Sequence, residues 1–258
     1  MRQEAYFCTV KELDELGKNN IPRQLISHTH LIYSSPATLA FNSPGAEGFG
    51  VKRAGLAVPD SVMLIVSPGC CGRNTSVLSS MRAYQDRFYY LLMDETDIVT
   101  GRHLKKIPKA VAEICEGLKK KPSVVMICIT CVDALLGTDM ERVCHKAEEY
   151  AGVPVRPCYM YALTREGRKP PMVHVRQSVY SLLEPKKKKG NVVNLLGYFS
   201  PLTDDCELYD LLHGAGVKTI HEISRCKDYA QYQTMSEANF NLVLHPEARF
   251  AAEDFMTG

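Results

Sequence analysis

Three cysteines follow apolar runs at two separate places in the chain. Cys70 and Cys71 come soon after the run Val62–Val66, and Cys131 follows a second run, Val124–Ile129. Both runs predict buried strands. Ligands of an open α/β sheet gather outside the carboxyl ends of its strands, so two strand ends that carry thiols indicate one shared site. Thiolates in such a place bind soft metals or iron–sulfur clusters.

Cys128 and Cys131 form a C-x-x-C sequence that leaves several interpretations open. A thioredoxin-like motif needs its first cysteine at the start of a helix, whereas Cys128 lies within the predicted strand. Together with Cys70 and Cys71, the pair could supply the four ligands of a zinc site, although adjacent cysteines rarely point at one small ion. Alternatively, Cys128 and one of Cys70 and Cys71 are small buried side chains. The other cysteines show no metal-ligand spacing: Cys8, Cys115, Cys144, Cys158, Cys206 and Cys226.

The composition is that of an ordinary globular protein. The 258 residues are 45% hydrophobic and 23% charged, and the formal net charge of +2 does not call for a nucleic-acid partner. We find no signal-peptide core and no apolar run long enough to span a membrane, so we expect a cytoplasmic protein whose ten cysteines serve metal binding, redox chemistry or packing. The run Lys186–Lys189 is typical of a solvated linker between domains.

Alternating strand and helix patterns predict an α/β fold made of repeated Rossmann-like, doubly wound parallel sheets. We expect a first domain over residues 1–185 and a second, incomplete α/β domain over 191–258. The elements predicted for the first domain are strands at 62–66, 97–99 and 124–129, an extended segment at 153–155, and helices from about Thr75, over 104–120, from Asp139 to Tyr150 and near 173–183. Those predicted for the second are strands near 191–197, 216–220 and 241–244, and a helix over 208–213.

Several nucleotide-binding and hydrolase motifs are missing from the sequence. Without G-x-x-x-x-G-K-[ST], the chain is not expected to hydrolyse a nucleotide itself. Neither G-x-S-x-G nor H-E-x-x-H occurs, and the glycine-rich stretch Gly48–Arg53 does not complete G-x-G-x-x-G. His28 and His30 could bind a metal, but two histidines on an extended segment are more often surface residues.

Several segments resemble, in order, the component 1 proteins of nitrogenase and nitrogenase-like reductases. Ser67–Gly72 is similar to the family's cluster-binding H-G-P-x-G-C-G, and Asp94–Gly101 to its E-x-D-I-V-F-G-G. Ile129–Glu141 resembles T-T-C-x-x-x-x-I-G-D-D-I-E, and Gly152–Val155 matches the strand that follows. The resemblance runs from about Ser43 to Asp254.

The resemblance implies three Rossmann-like domains, of which the third would lie beyond Gly258, so a fragment and a shortened relative both stay open. It implies pairing with a related component 1 subunit, as a homo- or hetero-oligomer. It further implies an iron–sulfur cluster, of the 4Fe-4S or P-cluster-like type, at the subunit interface. Electrons would come from a separate, ATP-hydrolysing iron protein.

One departure from the family pattern affects the expected ligands. The family's first cluster cysteine is absent, and Asn42 or Ser43 is the available oxygen substitute. Cys131 and one or both of Cys70 and Cys71 then remain as thiolate ligands, so that the partner subunit would have to complete the cluster.

We therefore expect an iron–sulfur oxidoreductase subunit that reduces a small molecule or a cofactor under anaerobic conditions. In dinitrogen-reducing members, a strand resembling Asn241–Leu244 ends in a cysteine that holds the large metal cluster; here His245 stands in that place. We expect no dinitrogen-type cofactor on a cysteine there, and we expect substrate near His245, although a histidine that only forms a hydrogen bond is at least an equal alternative. The other functional hypotheses are a non-catalytic scaffold for metallocofactor assembly and a zinc-stabilised α/β binding protein.

Overall fold

The computed structural model describes residues 8–17, 19–22, 47–69, 79–160 and 169–257. The chain divides into two compact units, Met1–Pro36 and Ala37–Gly258. In the first unit, helix α1 spans Val10–Leu16 and begins with a capping box formed by Thr9 and Glu12.

The second unit contains the sheets and the remaining helices. Its strands are β1 (Val62–Ser67), β2 (Phe88–Leu92), β3 (Val125–Ile129), β4 (Val155–Tyr159), β5 (Lys189–Leu196), β6 (Thr219–His221) and β7 (Ala238–Val243). Its α-helices are α2 (Glu47–Gly55), α3 (Glu95–Thr100), α4 (His103–Gly117), α5 (Cys131–Leu136), α6 (Met140–Ala151), α7 (Pro171–Tyr180), α8 (Glu207–Gly214), α9 (Tyr229–Gln233) and α10 (Arg249–Thr257).

The strands form two parallel sheets, with the orders β2-β1-β3-β4 and β6-β5-β7. The predicted fold class, a doubly wound parallel α/β arrangement, is therefore confirmed. Strands β1 and β3 are buried along their whole length, and alternate side chains enter two different apolar clusters. Met63 and Met126 face the cluster shared with α2 and α7, whereas Leu64 and Ile127 face the one shared with α4 and α6. Helices on both faces explain why these strands are continuous apolar runs.

The first of these clusters also joins the two sheets. It includes Leu196 from β5 together with Ile65 from β1 and Val179 from α7. The chain passes between the sheets through Pro185 and the exposed Lys186–Lys188, and Lys189 already belongs to β5. The division into domains at residues 185–191 stays a prediction.

The strand predicted at 97–99 is wrong, because these residues lie in helix α3. Asp94 caps this helix by accepting a hydrogen bond from the Asp97 amide, and the Asp97 side chain accepts one from the Asp94 amide. This capping box outweighs the strand preference of Ile98 and Val99. The strand of this region is instead β2, which was not predicted. The helix predicted from Thr75 begins outside the described residues.

Among the described residues, no helix combines the length and the apolar character that crossing a bilayer requires.

Candidate functional site

The carboxyl ends of β1 and β3 lie side by side, as the sequence predicted. Val66 is in register with Ile129, so the chain leaves both strands at the same edge of the sheet. Beyond β1 it passes through Pro68 and Gly69 toward Cys70 and Cys71, whose own placement lies outside the described residues, as does that of Asn42 and Ser43. Beyond β3 it passes through Thr130 to Cys131.

Cys131 is the first residue of the short helix α5. Cys131 is half-buried and lies at the edge of the sheet. Cys131 is thus a predicted cluster ligand whose position the structure describes. It lies at the edge of the sheet where β1 and β3 end side by side.

Cys128, the other member of the C-x-x-C sequence, lies in the core. It is fully buried and in register with the equally buried Cys158 of β4, to which its side chain is hydrogen-bonded. The Cys158 thiol donates to the carbonyl of Val51 at 3.5 Å. Since a thiol carries one proton, this bond leaves the Cys158 sulfur to accept from Cys128. Burial raises the pKa of the Cys158 thiol well above its ordinary value, so this group stays protonated in the core.

Two buried hydroxyl groups at the same strand ends lack a hydrogen-bond partner among the described residues. They are Ser67 Oγ, at the end of β1, and Thr130 Oγ1, directly before Cys131. Buried hydroxyls are nearly always satisfied, so each unsatisfied one needs an explanation. As hydroxyls, both can donate or accept a hydrogen bond at this edge of the sheet.

Helix α5 is tied to helix α4 through a buried pair. His103 Nε2 lies 2.9 Å from Asp133 Oδ1, and both side chains are at most 1% exposed. The same Oδ1 accepts a hydrogen bond from Thr138 Oγ1 at 2.9 Å, whereas the buried Asp133 Oδ2 has no hydrogen-bond partner within the described residues.

The other ring nitrogen of His103, Nδ1, donates a hydrogen bond. Nδ1 is 3.0 Å from the carbonyl oxygen of Asp97, which can only accept, so Nδ1 carries a hydrogen. Nε2 faces Asp133 Oδ1, so the imidazole joins helices α3 and α5 through its two ring nitrogens.

Asp97 is a buried residue with two cationic partners. Its buried carboxylate accepts from Lys106 Nζ at 2.7 Å and from Arg102 Nε at 2.8 Å. These two donors hold the pKa of Asp97 well below its usual range. The segment that begins at Asp94 thus contacts His103 through the Asp97 carbonyl. His103 in turn contacts the helix that carries Cys131.

The described residues contain no group of three His, Cys, Asp or Glu side chains arranged to hold a metal ion. Within these residues Cys131 belongs to no such group, and the neighbouring Cys70 and Cys71 lie outside them.

His245 lies at the corresponding edge of the second sheet, just after β7. Its Nδ1 accepts a hydrogen bond from the Glu247 amide at 3.3 Å, and its ring contacts Tyr198 edge-on with centroids 5.7 Å apart. About a third of the His245 side chain is exposed. With Nδ1 as an acceptor, the neutral ring carries its proton on Nε2 and can donate it to a ligand.

Arg176 stabilises this edge of the second sheet through hydrogen bonds and an ion pair. It is 3% exposed, donates through Nε and Nη2 to the carbonyl of Gly197, and pairs through Nη1 with Glu247 Oε2 at 2.7 Å. Glu247 Oε2 is also 3.5 Å from His245 Nδ1. The buried ion pair therefore fixes the turn on which His245 is placed.

A cleft of about 270 Å³ opens elsewhere on the second unit. It includes neither Cys131 nor His245, and it is lined by Gln177, Tyr180, Ser181, Leu183, Pro185, Lys186, Lys188, Ser236, Ala251 and Asp254. It is not part of either strand-end site.

Sequence reasoning missed the polar residues that support the two sites. His103 stands four residues before Ile107, on the apolar stripe of α4, and Arg176 shares the buried face of α7 with Val173. A charged or ionisable residue on an otherwise apolar helix face is the signal that could have found both.

Comparison with known proteins identifies the family. The model of the family described as nitrogenase component 1 type oxidoreductase matches residues 47–258. The nitrogenase iron-molybdenum cofactor biosynthesis protein NifE of Rhizobium meliloti (strain 1021) is 28% identical over 176 residues, which is 66% of this chain and 37% of that protein. NifE of Klebsiella pneumoniae is 26% identical over 222 residues, which is 78% of this chain and 48% of that protein. This chain thus spans less than half the length of these curated relatives.

Solved structures share the fold. Two structures of nitrogenase Cp1, at pH 6.5 and pH 5, superpose with TM-scores of 0.57 and 0.58 at 20% sequence identity. They cover 87% and 93% of this chain, which corresponds to 45% and 50% of theirs. Because the family model matches most of the sequence, the chain belongs to the nitrogenase component 1 type oxidoreductase family.

Proposed function

We propose that this chain is the iron–sulfur subunit of a nitrogenase-like component 1 protein. Cys131, together with one or both of Cys70 and Cys71, would ligate a cluster at the interface with a related subunit. The observation that carries the proposal is the register of β1 and β3, which brings the half-buried Cys131 thiol to the strand end that leads into Cys70 and Cys71.

The residues present at this edge fit such a group. A cluster needs thiolate ligands and is tuned by hydrogen bonds to its sulfurs. Cys131 offers a thiol, and the unsatisfied hydroxyls of Ser67 and Thr130 offer two donors within the same strand ends. Cys128 fits less well, because its thiol is already hydrogen-bonded to Cys158 in the core.

A partner subunit is part of the proposal because this chain has few ligands. With Cys131, Cys70 and Cys71 as thiolates, and Asn42 or Ser43 as an oxygen ligand in place of the missing cysteine, the related subunit would supply the rest. The assembly would then hold a 4Fe-4S or a P-cluster-like group between subunits.

When bound, the cluster would supply one-electron chemistry at low potential, with electrons from an ATP-hydrolysing iron protein. The chain's own residues would orient Cys131 and hold the substrate. We place the substrate at the edge of the second sheet, where His245 Nε2 can donate a hydrogen bond beside Tyr198. A substrate with an acceptor oxygen would suit this donor.

The second candidate function is a scaffold for metallocofactor assembly. It is favoured by one observation, namely that the curated relatives described above carry the name of cofactor biosynthesis proteins. A scaffold would use the same cluster ligands but would pass on its product, so His245 would then contact a cofactor precursor.

Metal analysis of the chain, co-purified anaerobically with its partner subunit, tests the shared part of both functions. We expect oxygen-sensitive iron and sulfide with broad visible absorption, and Cys131→Ala should abolish that absorption. Cys206→Ala, which changes a half-buried thiol of the second unit, is the matched control and should keep the iron. Full iron content in Cys131→Ala would refute the assignment, and stoichiometric zinc without iron would favour the zinc-stabilised binding protein.

Turnover separates the two candidate functions. The purified chain should show no ATPase activity of its own, whereas addition of the iron protein and ATP should reduce substrate. His245→Ala should then lose turnover while it retains cluster iron. Release of an assembled cofactor without turnover would establish the scaffold instead.

A further inference from the structure

Helix α5, which carries Cys131, packs against the apolar core through the partly buried Val132. Its six residues include Leu135 and Leu136, which are 57% and 52% exposed. The residue that precedes the helix, Thr130, makes no side-chain capping bond. Leu135 and Leu136 therefore add little apolar burial to this turn, and polar contacts contribute to its orientation.

The buried polar contact of α5 is Asp133, which follows Cys131 by two residues. Its Oδ1 accepts from Thr138 Oγ1 within the next turn of chain and pairs with His103 Nε2 across to helix α4. Only the His103 contact connects the Asp133 side chain to another element in the described part of the chain.

His103 is itself held rigidly. Its Nδ1 donates to the Asp97 carbonyl at 3.0 Å, and it is 1% exposed on the helix face that also buries Ile107 and Val111. Both ring nitrogens are therefore occupied, and the imidazole bridges α3 and α5 from its place on α4. A buried imidazole needs a partner for each ring nitrogen, and in His103 the two partners lie on two different helices, so the ring connects three helices.

We propose that His103 is a positioning residue for the Cys131 ligand, because its bridge between the Asp97 carbonyl and Asp133 fixes the helical turn that presents the Cys131 thiol. This inference rests on the proposed function only in calling Cys131 a ligand. Residues that orient metal ligands through such hydrogen bonds typically change metal affinity by about 10- to 100-fold when they are replaced.

The test compares His103→Phe with Val111→Ala, a variant of the same helix that removes buried apolar volume without touching the bridge. The first readout needs no cluster: the rate at which a maleimide labels Cys131 in the metal-free chain, followed by peptide mass spectrometry. The second is the iron retained by the reconstituted subunit pair and its electron paramagnetic resonance spectrum.

We expect His103→Phe to increase the labelling rate of Cys131 several-fold, to lower iron affinity by about tenfold or more and to alter the spectrum. Val111→Ala should change neither readout beyond its loss of stability. His103→Gln, whose amide can donate to Asp133, should restore part of both. If His103→Phe and Val111→Ala are indistinguishable in Cys131 labelling and in the spectrum, the proposal is overturned.

The experiment still tests the role of His103 in two further cases. Should His103→Phe fail to fold, the smaller His103→Leu, which also removes both ring nitrogens, is compared with Val111→Ala in the same two readouts, and indistinguishable results overturn the proposal. Should the wild-type pair bind no iron, the proposed function fails, while the Cys131 labelling rates still decide whether His103 positions this turn.

Discussion

The backbone of Gly197 lies directly against His245. A Cβ added to Gly197 would be 2.7 Å from the Cβ of His245 and 2.8 Å from its backbone nitrogen, and Gly197 has a φ of +128°. The ends of β5 and β7 thus approach each other more closely than any residue with a side chain permits, and His245 is placed by this approach.

Gly197→Ala should therefore lower the free energy of unfolding by about 2 kcal/mol, through backbone strain and overpacking, and should displace His245. Urea unfolding measures the loss, and the ring-proton shifts of His245 report the displacement. Gly214→Ala, at a helix position with open space around it, is the control and should change stability little. If the Gly197→Ala protein were as stable as wild type, the expected strain and overpacking would be refuted.

Asp97 should make stability depend on pH in the acid range. Because Lys106 and Arg102 hold its pKa below the ordinary value, the ionised carboxylate stabilises the folded state above about pH 4, and this contribution is lost as the pH falls. The difference in unfolding free energy between wild type and Asp97→Asn should be constant near neutrality and should shrink below about pH 4. Asp60→Asn, at an exposed pair with Lys120, should show a much smaller difference. An Asp97→Asn difference that is the same at pH 7 and pH 3 would contradict the linkage.

The Arg176–Glu247 pair should be costly to break. Glu247→Ala leaves a guanidinium that is 3% exposed without its counter-charge, and we expect a loss of about 3 kcal/mol or more in urea unfolding. Glu247→Gln keeps an acceptor and should lose less. Glu253→Ala, which removes an exposed partner of Arg249, should stay within about 1 kcal/mol of wild type. Equal losses for Glu247→Ala and Glu253→Ala would mean that the buried pair does not hold the His245 turn.

The cysteines should fall into two classes in native labelling. Cys128, Cys158 and Cys144 are buried, and burial raises the pKa of Cys144 and Cys158, so these three should resist a maleimide until the chain is unfolded. Cys131 and Cys206 are half-buried and should react in the folded chain. Mass spectrometry of labelled peptides gives the order, and rapid native labelling of Cys128 would show that the core pair with Cys158 opens.

Much of the fold follows from local patterns in the sequence. The apolar runs at 62–66 and 124–129 correspond to β1 and β3. Helix α6 is capped by Asp139 at its start and by Gly152 at its end, as predicted. These elements are encoded locally, by burial on both faces and by capping groups. The strand predicted at 97–99 was wrong for an equally local reason, because the Asp94–Asp97 capping box favours a helix.

The candidate site could be predicted from the sequence only in part. The expectation that Cys131 lies beside the strand end leading to Cys70 and Cys71 is supported, because parallel strands share one carboxyl edge. The roles of Cys70, Cys71, Asn42, Ser43 and His245 stay predictions.

Tertiary structure alone decided which polar groups meet. Cys128 pairs with Cys158, His103 with Asp133 and Arg176 with Glu247, at separations of 30 to 71 residues along the chain. No local propensity encodes such contacts, because they form only when helices pack on the sheet and each buried polar group must find a partner. The sequence therefore determined the strand ends and their thiols, and packing determined the buried bonds that orient them.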